Sequence, residues 1–198
     1  MKTVIWELKF LSAPKTMHYC KKCGARTEHV SSEAFRINAQ GKSLDVWLIY
    51  RCVRCKTTWN LTILSRVNPG SLDRGLLERF TCNDGELARQ YAMDTDILKR
   101  NGAQTEVPPY DVTGDEVDLA RETTVRIISR YPLGIRVSKI LREKLFLSRK
   151  NFDEMVQGGL IRLEDGSDIN KSRLYREANV VIGRFSKSCS CSDTILKE

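Results

Sequence analysis

Two CxxC pairs set the tightest limit on what this chain can fold into. Cys20 and Cys23 stand in HYCKKCG, and Cys52 and Cys55 repeat the spacing in YRCVRCKTTW. A CxxC turn aims two thiolates at one point about 2.3 Å from each sulfur, and two such turns complete a tetrahedral zinc site. One pair alone would leave a thioredoxin-like redox motif open; a second pair points to metal. Gly24, directly after Cys23, suits the tight turn. Four thiolates leave no open coordination position, so the spacing predicts one structural Zn2+ and no metal catalysis. His18 and His29 lie near in sequence, but four sulfurs suffice without them. Cys82 falls in a helical pattern and reads as a small core residue. Cys189 and Cys191 lie in the polar stretch SKSCSCSD and read as tail thiols, with a second metal site as the alternative.

The residues between the pairs carry a strand pattern. Apolar runs flank Asn38-Ala39-Gln40-Gly41, a turn sequence. Leu44, Val46, Leu48 and Tyr50 alternate with Asp45, Trp47, Ile49 and Arg51, and Trp59, Leu61 and Ile63 mark a further strand. Knuckle, hairpin, knuckle and strand make a zinc-ribbon pattern. The opening MKTVIWELKFLSAP alternates Val4, Trp6, Leu8 and Phe10 with Thr3, Ile5, Glu7 and Lys9, so it reads as a strand and not as a signal peptide. No apolar run approaches the roughly 18 residues of a membrane helix, and no membrane partner is expected. Paired cysteines used for metal fit a reducing, cytoplasmic location.

The expected architecture is α+β in two parts. Residues 1–102 form a zinc-ribbon domain with a helical extension. Ser71 is the expected cap of a helix in SLDRGLLERF, and NDGELARQYAMDTDILKRNG continues helically to a stop at Gly102. Residues 103–115, acidic and carrying Pro108-Pro109, read as a linker. Residues 116–186 form a second α+β domain, and residues 187–198 a flexible tail.

Within that second part, Val137, Ile140, Leu141 and Leu145 form one helical face. Ser148 caps a second helix with Phe152, Met155 and Val156 inward. Gly158-Gly159 ends it, Leu160–Leu163 is a strand, and Asp165-Gly166 is a tight hairpin turn. Asn179–Gly183 closes the small sheet. Charge concentrates here. Residues 130–150 hold seven Lys or Arg against one acid, and residues 1–67 hold twelve against four, in a chain of net charge +8. Arg136, Lys139 and Arg142 recur every three residues. Arg149 and Lys150 sit in the first turn after Ser148, where cations oppose the helix dipole. A bound phosphate would reverse that sign.

Arg136, Leu147-Ser148-Arg149-Lys150, Gly159-Leu160-Ile161 and Asp165-Gly166 follow one another in an order and spacing that resembles the S4 RNA-binding domain. The resemblance implies an S4-like α+β unit over residues 136–166, with Arg136, Lys139, Arg142, Arg149 and Lys150 as RNA contacts. Asp165 stands where that family has Asn, and Glu164 and Asp168 add acid, so the helices and not the hairpin would meet RNA. The stretch LDVWLIYRCVRCKTTWNL, residues 44–61, also resembles the bacterial domain of unknown function 1062 family, to which no activity is attached. The chain is therefore expected to be a non-enzymatic zinc-containing protein that binds structured ribosomal or transfer RNA, with the ribosome as a partner. A DNA-binding, transcription-associated ribbon and an RNA-modifying enzyme with an S4-like capture unit are the alternatives. Against an enzyme stand two histidines in all, no Gly-rich phosphate loop and no nucleophile–base pair.

Overall fold

A computed structural model of the chain describes residues 2–118 and 121–184. In chain order the strands and helices are β1 (Lys2–Phe10), β2 (Thr16–Cys20), β3 (Ala25–Gln40), β4 (Ser43–Cys52) and β5 (Thr58–Val67), then α1 (Arg74–Thr81), α2 (Gly85–Ala92) and α3 (Thr95–Arg100). After these come β6 (Gln104–Thr105), β7 (Tyr110–Thr113), β8 (Thr123–Ser129) and β9 (Ile135–Arg136), and then α4 (Val137–Lys144), α5 (Arg149–Gln157), β10 (Ile161–Leu163), β11 (Arg173–Leu174) and β12 (Glu177–Ile182). The elements fall into two compact units. One, the ribbon unit, spans Phe10–Tyr110 with Tyr131–Leu133; the other takes the chain up to Lys9, Asp111–Arg130 and Gly134 onward. The fold is mixed α+β with sheet dominating. No helix among the described residues is long and apolar enough to cross a membrane.

In the ribbon unit the sheet order is β5-β4-β3-β2-β6. Strand β4 shows why it is central: Leu44, Val46, Leu48, Tyr50 and Cys52 are buried at every second position. The turn between β3 and β4 lies two residues later than the sequence suggests, at Gly41-Lys42, because Gly41 takes the left-handed conformation. Three short helices cover one face of the sheet. Leu87, Ala88, Ala92, Leu98 and Phe80 pack against Leu44, Val46, Leu48 and Leu61. Each helix starts on an aspartate: Asp73 accepts from Leu76 N at 3.0 Å, Asp84 from Leu87 N at 2.8 Å and Asp94 from Ile97 N at 2.9 Å. Ser71, expected as the first cap, instead closes a 3-10 turn, Pro69–Ser71, with its hydroxyl on Asn68 O. Asp73 outcompetes it because an anion also meets the positive end of the helix. Cys82, expected in the core, is exposed at the end of α1.

The second unit is built on the sheet β10-β12-β8-β1-β7. The N-terminal strand thus belongs here, pairing parallel with β8 from Lys2↔Thr123 to Leu8↔Ser129. Val4, Trp6 and Leu8 of β1 and Val125 and Ile127 of β8 are buried. Gly114 lets the chain pass close to β1: a Cβ there would lie 2.2 Å from Ile5 O, at φ +125°. The Trp6 indole donates to Asp115 O at 2.9 Å. Parts of the stretch expected as a linker are strand, since β6 pairs with β2 and β7 joins the second sheet. Asp165-Gly166 does not close a two-residue hairpin. Asp165 accepts from Ser167 N at 2.9 Å, and β10 pairs antiparallel with β12 across the longer loop that carries β11. Residues 179–183 do close this sheet, as β12 lies between β10 and β8. Cys189 and Cys191 lie outside the described residues.

Candidate functional site

The four sulfurs of Cys20, Cys23, Cys52 and Cys55 all lie within 4.8 Å of one another. Cys20 Sγ is 3.4 Å from Cys55 Sγ and Cys23 Sγ is 3.9 Å from Cys52 Sγ. These gaps are far too long for disulfides. A tetrahedron of sulfurs around zinc at 2.3 Å has edges of about 3.8 Å, so the cluster fits a zinc-sized ion with all four positions filled by protein.

Local backbone explains the placement. In the first knuckle Gly24 N donates to Cys20 O at 2.9 Å, with Gly24 at φ 65°. In the second, Lys56 N donates to Cys52 O at 2.9 Å, with Lys56 at φ 61°. The two turns have the same shape, one closed by glycine and one by lysine. Register brings them together: β3 pairs with β4 so that His29 faces Cys52.

Hydroxyls tune the sulfurs. Thr27 Oγ1 lies 3.2 Å from Cys52 Sγ, and hydrogen bonding from it, helped by main-chain N–H groups, lowers the Cys52 thiol to about 5. Thr57, whose Oγ1 is 3.2 Å from Cys55 Sγ, holds Cys55 below the ordinary thiol range. Cys23 is pushed up to about 12, chiefly by its hydrogen bond with Cys55 and then by burial. Without metal the cluster shares protons, since four adjacent thiolates repel one another. A divalent cation removes that repulsion and those protons together.

The histidines sit behind the cluster and are not among its metal-ligating groups. His18 stacks on Trp59 with ring centroids 4.0 Å apart, and His29 meets Trp59 edge-on at 5.8 Å. His29 Nδ1 bonds Thr27 O at 2.9 Å. Burial, and then the neighbouring His29, lower the pKa of His18. Spacing marks the cysteines, but Thr27 and Thr57 carry no such signal, apart from Thr57 lying two residues after Cys55.

In the second unit the basic residues gather around a groove of about 620 Å³. Arg136, Lys139, Arg142 and Arg149 line it, together with the acids Glu143 and Asp153. Arg136 is the cap residue of α4, and Arg149 opens α5 behind the Ser148 cap, whose hydroxyl accepts from Asn151 N at 3.1 Å. Arg142 Nε is buried with no hydrogen-bond partner among the described residues. Lys150 does not line the groove; it is exposed on the same first turn of α5.

The cations opposing the α5 dipole are compensated within the helix. Arg149 is 3.8 Å from Asp153 and Lys150 is 3.9 Å from Glu154, each one turn on. Such exposed pairs contribute only about 0.3–0.5 kcal/mol, and the order cation-then-acid is the weaker one.

The family model described as Protein of unknown function (DUF1062) matches residues 37–167, about two thirds of the chain. The chain belongs to this family. No curated protein and no solved structure matches it. The DUF1062 range takes in Cys52, Cys55 and all five basic residues, and it begins after Cys20 and Cys23.

Proposed function

We propose that this chain is a non-enzymatic RNA-binding protein that holds one structural zinc in its four-cysteine site and grips the phosphates of structured RNA, ribosomal or transfer RNA, in its basic groove. The observation that carries the reading is the convergence of Arg136, Lys139, Arg142 and Arg149 on one groove lined by α4 and α5. The Arg142 guanidinium lines this groove, and a guanidinium is suited to a phosphate oxygen. The N–H groups at the start of α5 add to the pull on an anion. The S4-like order of motifs supports the same choice of helices. Glu143 and Asp153 in the groove weaken non-specific attraction and leave binding to sites where several phosphates meet the arginines at once.

The ribbon contributes a second basic surface. Lys21, Lys22, Arg51, Arg54 and Lys56 are exposed around the knuckles. Zinc shapes that surface without taking part in chemistry, because its four positions are filled.

The test is a salt titration of wild type and an Arg149→Ala, Lys150→Ala double variant against a structured RNA. Each phosphate contact contributes a slope of about −0.7 to −0.9. The variant is expected to lose roughly 1–2 units of slope and to bind different structured RNAs equally more weakly, since phosphate contacts carry little sequence information. Its melting temperature is expected to stay level, as two unfavourable dipole contacts and two weak ion pairs leave together. An unchanged slope and affinity would reduce the groove to a solvated face, and a preference for duplex DNA would favour the transcription-associated reading.

A further inference from the structure

The helix endings of this chain contain one residue that the fold does not ask for. Four helices end in the same motif, with a left-handed residue just past the cap and the next N–H reaching back to the helix. After α1 that residue is Asn83 (φ 56°), with Asp84 N on Arg79 O at 2.9 Å. After α3 it is Gly102 (φ 77°), with Ala103 N on Leu98 O at 3.0 Å. After α5 it is Gly159 (φ 71°), with Leu160 N on Met155 O at 2.9 Å. After α4 it is Phe146 (φ 52°), with Leu147 N on Arg142 O at 2.9 Å. Glycine and asparagine are what such a position favours, because a Cβ crowds the backbone there. Phenylalanine is among the poorest choices.

Its side chain gains no burial in return. Phe146 is 92% exposed, the most of any large apolar side chain described, and its ring meets no other ring among the described residues. It stands in the loop between α4 and α5, with Lys144 before it and Arg149 and Lys150 after it. A strained backbone and a bare aromatic ring, in a loop with basic residues before and after it in sequence, are a poor device for stability or solubility. They suit a flat, apolar surface flanked by negative charge.

We propose that Phe146 is a stacking platform for an unpaired nucleobase, so that the RNA taken by the neighbouring groove carries a loop, bulge or frayed end at this point. The inference rests on the RNA reading and sharpens it: the ligand is a junction of helix and single strand, not a continuous duplex. Paired bases in a duplex are already stacked on one another, whereas an unpaired base can lie on an aromatic ring. The cations on either side hold the phosphates that flank that base.

The experiment compares two labelled RNAs, a stem-loop with an unpaired loop and a blunt duplex of the same stem, against wild type and the Phe146→Ala, Phe146→Gly and Phe146→Tyr variants. Wild type is expected to prefer the stem-loop. Alanine and glycine are each expected to weaken stem-loop binding about tenfold, near 1.4 kcal/mol, and to leave duplex binding unchanged. Tyrosine is expected to retain binding. The glycine variant is expected to melt about 2–4 °C higher than wild type, so its loss of binding cannot come from unfolding. If wild type binds both RNAs, the Arg149/Lys150 variant loses salt slope, and the Phe146 variants bind as wild type, this inference falls and the groove stands. If wild type binds neither RNA, both fall. A Phe146→Trp variant whose fluorescence shifts on anionic phospholipid vesicles but not on the stem-loop would assign the ring to a membrane surface and overturn the proposal.

Discussion

The two units of this chain solve the problem of a small core by different means. The ribbon unit is one contiguous stretch of chain apart from Tyr131–Leu133, and its sheet runs through neighbours in sequence, β2 to β5. Its helices cover the sheet around Leu48 and Leu61, and its knuckle end is closed by four sulfurs within 4.8 Å. The second unit has no such cluster among its described residues. It gathers strands from distant parts of the sequence, β1 beside β8 and β8 beside β12, around buried Trp6, Val125, Ile127 and Val180. Four clustered cysteines that could hold a metal ion tie the ribbon unit together locally; long-range pairing gives the second unit its core. The ribbon unit should therefore depend on metal, and the second on a few large apolar side chains.

The largest expected effect separates them most sharply. A structural zinc contributes on the order of 10 kcal/mol of apparent folding free energy, comparable to the whole net stability of a domain. Cys52→Ser, or chelation of the metal, should strip hydrogen-exchange protection from β4 and β5 and leave β8 and β12 protected. Metal analysis of the wild-type protein should give one zinc per chain. Zinc-free protein with a protected β4 would break the comparison outright.

The converse experiment acts on Trp6, which is fully buried. Trp6→Ala should cost about 3–5 kcal/mol, from lost burial and from the cavity left behind. It also leaves Asp115 O without its 2.9 Å donor. Protection should fall in β8 and β12 while the zinc content holds at one. Loss of zinc in this variant would mean that the units fold as one body.

The same contrast decides what can be read from sequence. The ribbon is legible because its signals are local: CxxC spacing and alternation in β4. Even there, Asp73 displaces Ser71 as a cap, since hydroxyl and carboxylate caps compete and only the anion also meets the dipole. In the second unit the helices α4 and α5 and the Ser148 cap are legible for the same reason of local periodicity. The sheet they accompany is not. Nothing in MKTVIWELKF states that its partner is Thr123–Ser129, more than a hundred residues on. Alternation identifies a strand, and only tertiary packing chooses the neighbour. Of the basic residues, i,i+3 spacing predicts that Arg136, Lys139 and Arg142 share a side. That Arg149 joins them and Lys150 does not depends on how α5 turns away from α4. Phe146 escapes sequence reading altogether, because the strain lies in its φ and not in its neighbours.

The smallest expected effect uses one substitution at two places. Lys56 in the ribbon unit and Phe146 in the second unit both hold left-handed backbone, at φ 61° and 52°. For lysine the closing turn of the second knuckle supplies the reason, and its counterpart in the first knuckle is Gly24, at φ 65°. Lys56→Gly relieves the crowding of the Cβ but gives the unfolded chain more freedom, so the net gain should be roughly 0.5–1 kcal/mol. Phe146→Gly should give a similar gain for the same reason. The two variants should then diverge in binding: Lys56→Gly removes one exposed charge and should lower the RNA salt slope by less than 1 unit, whereas Phe146→Gly should lose stem-loop affinity at constant slope, because a stacked base releases no counterion. Melting and salt titration of the pair read both quantities. Slopes and affinities equal to wild type in both variants would mean that neither left-handed side chain meets RNA, and a drop in slope at Lys56 as large as that of the Arg149/Lys150 variant would make the cysteine knuckles a principal part of the RNA-binding surface.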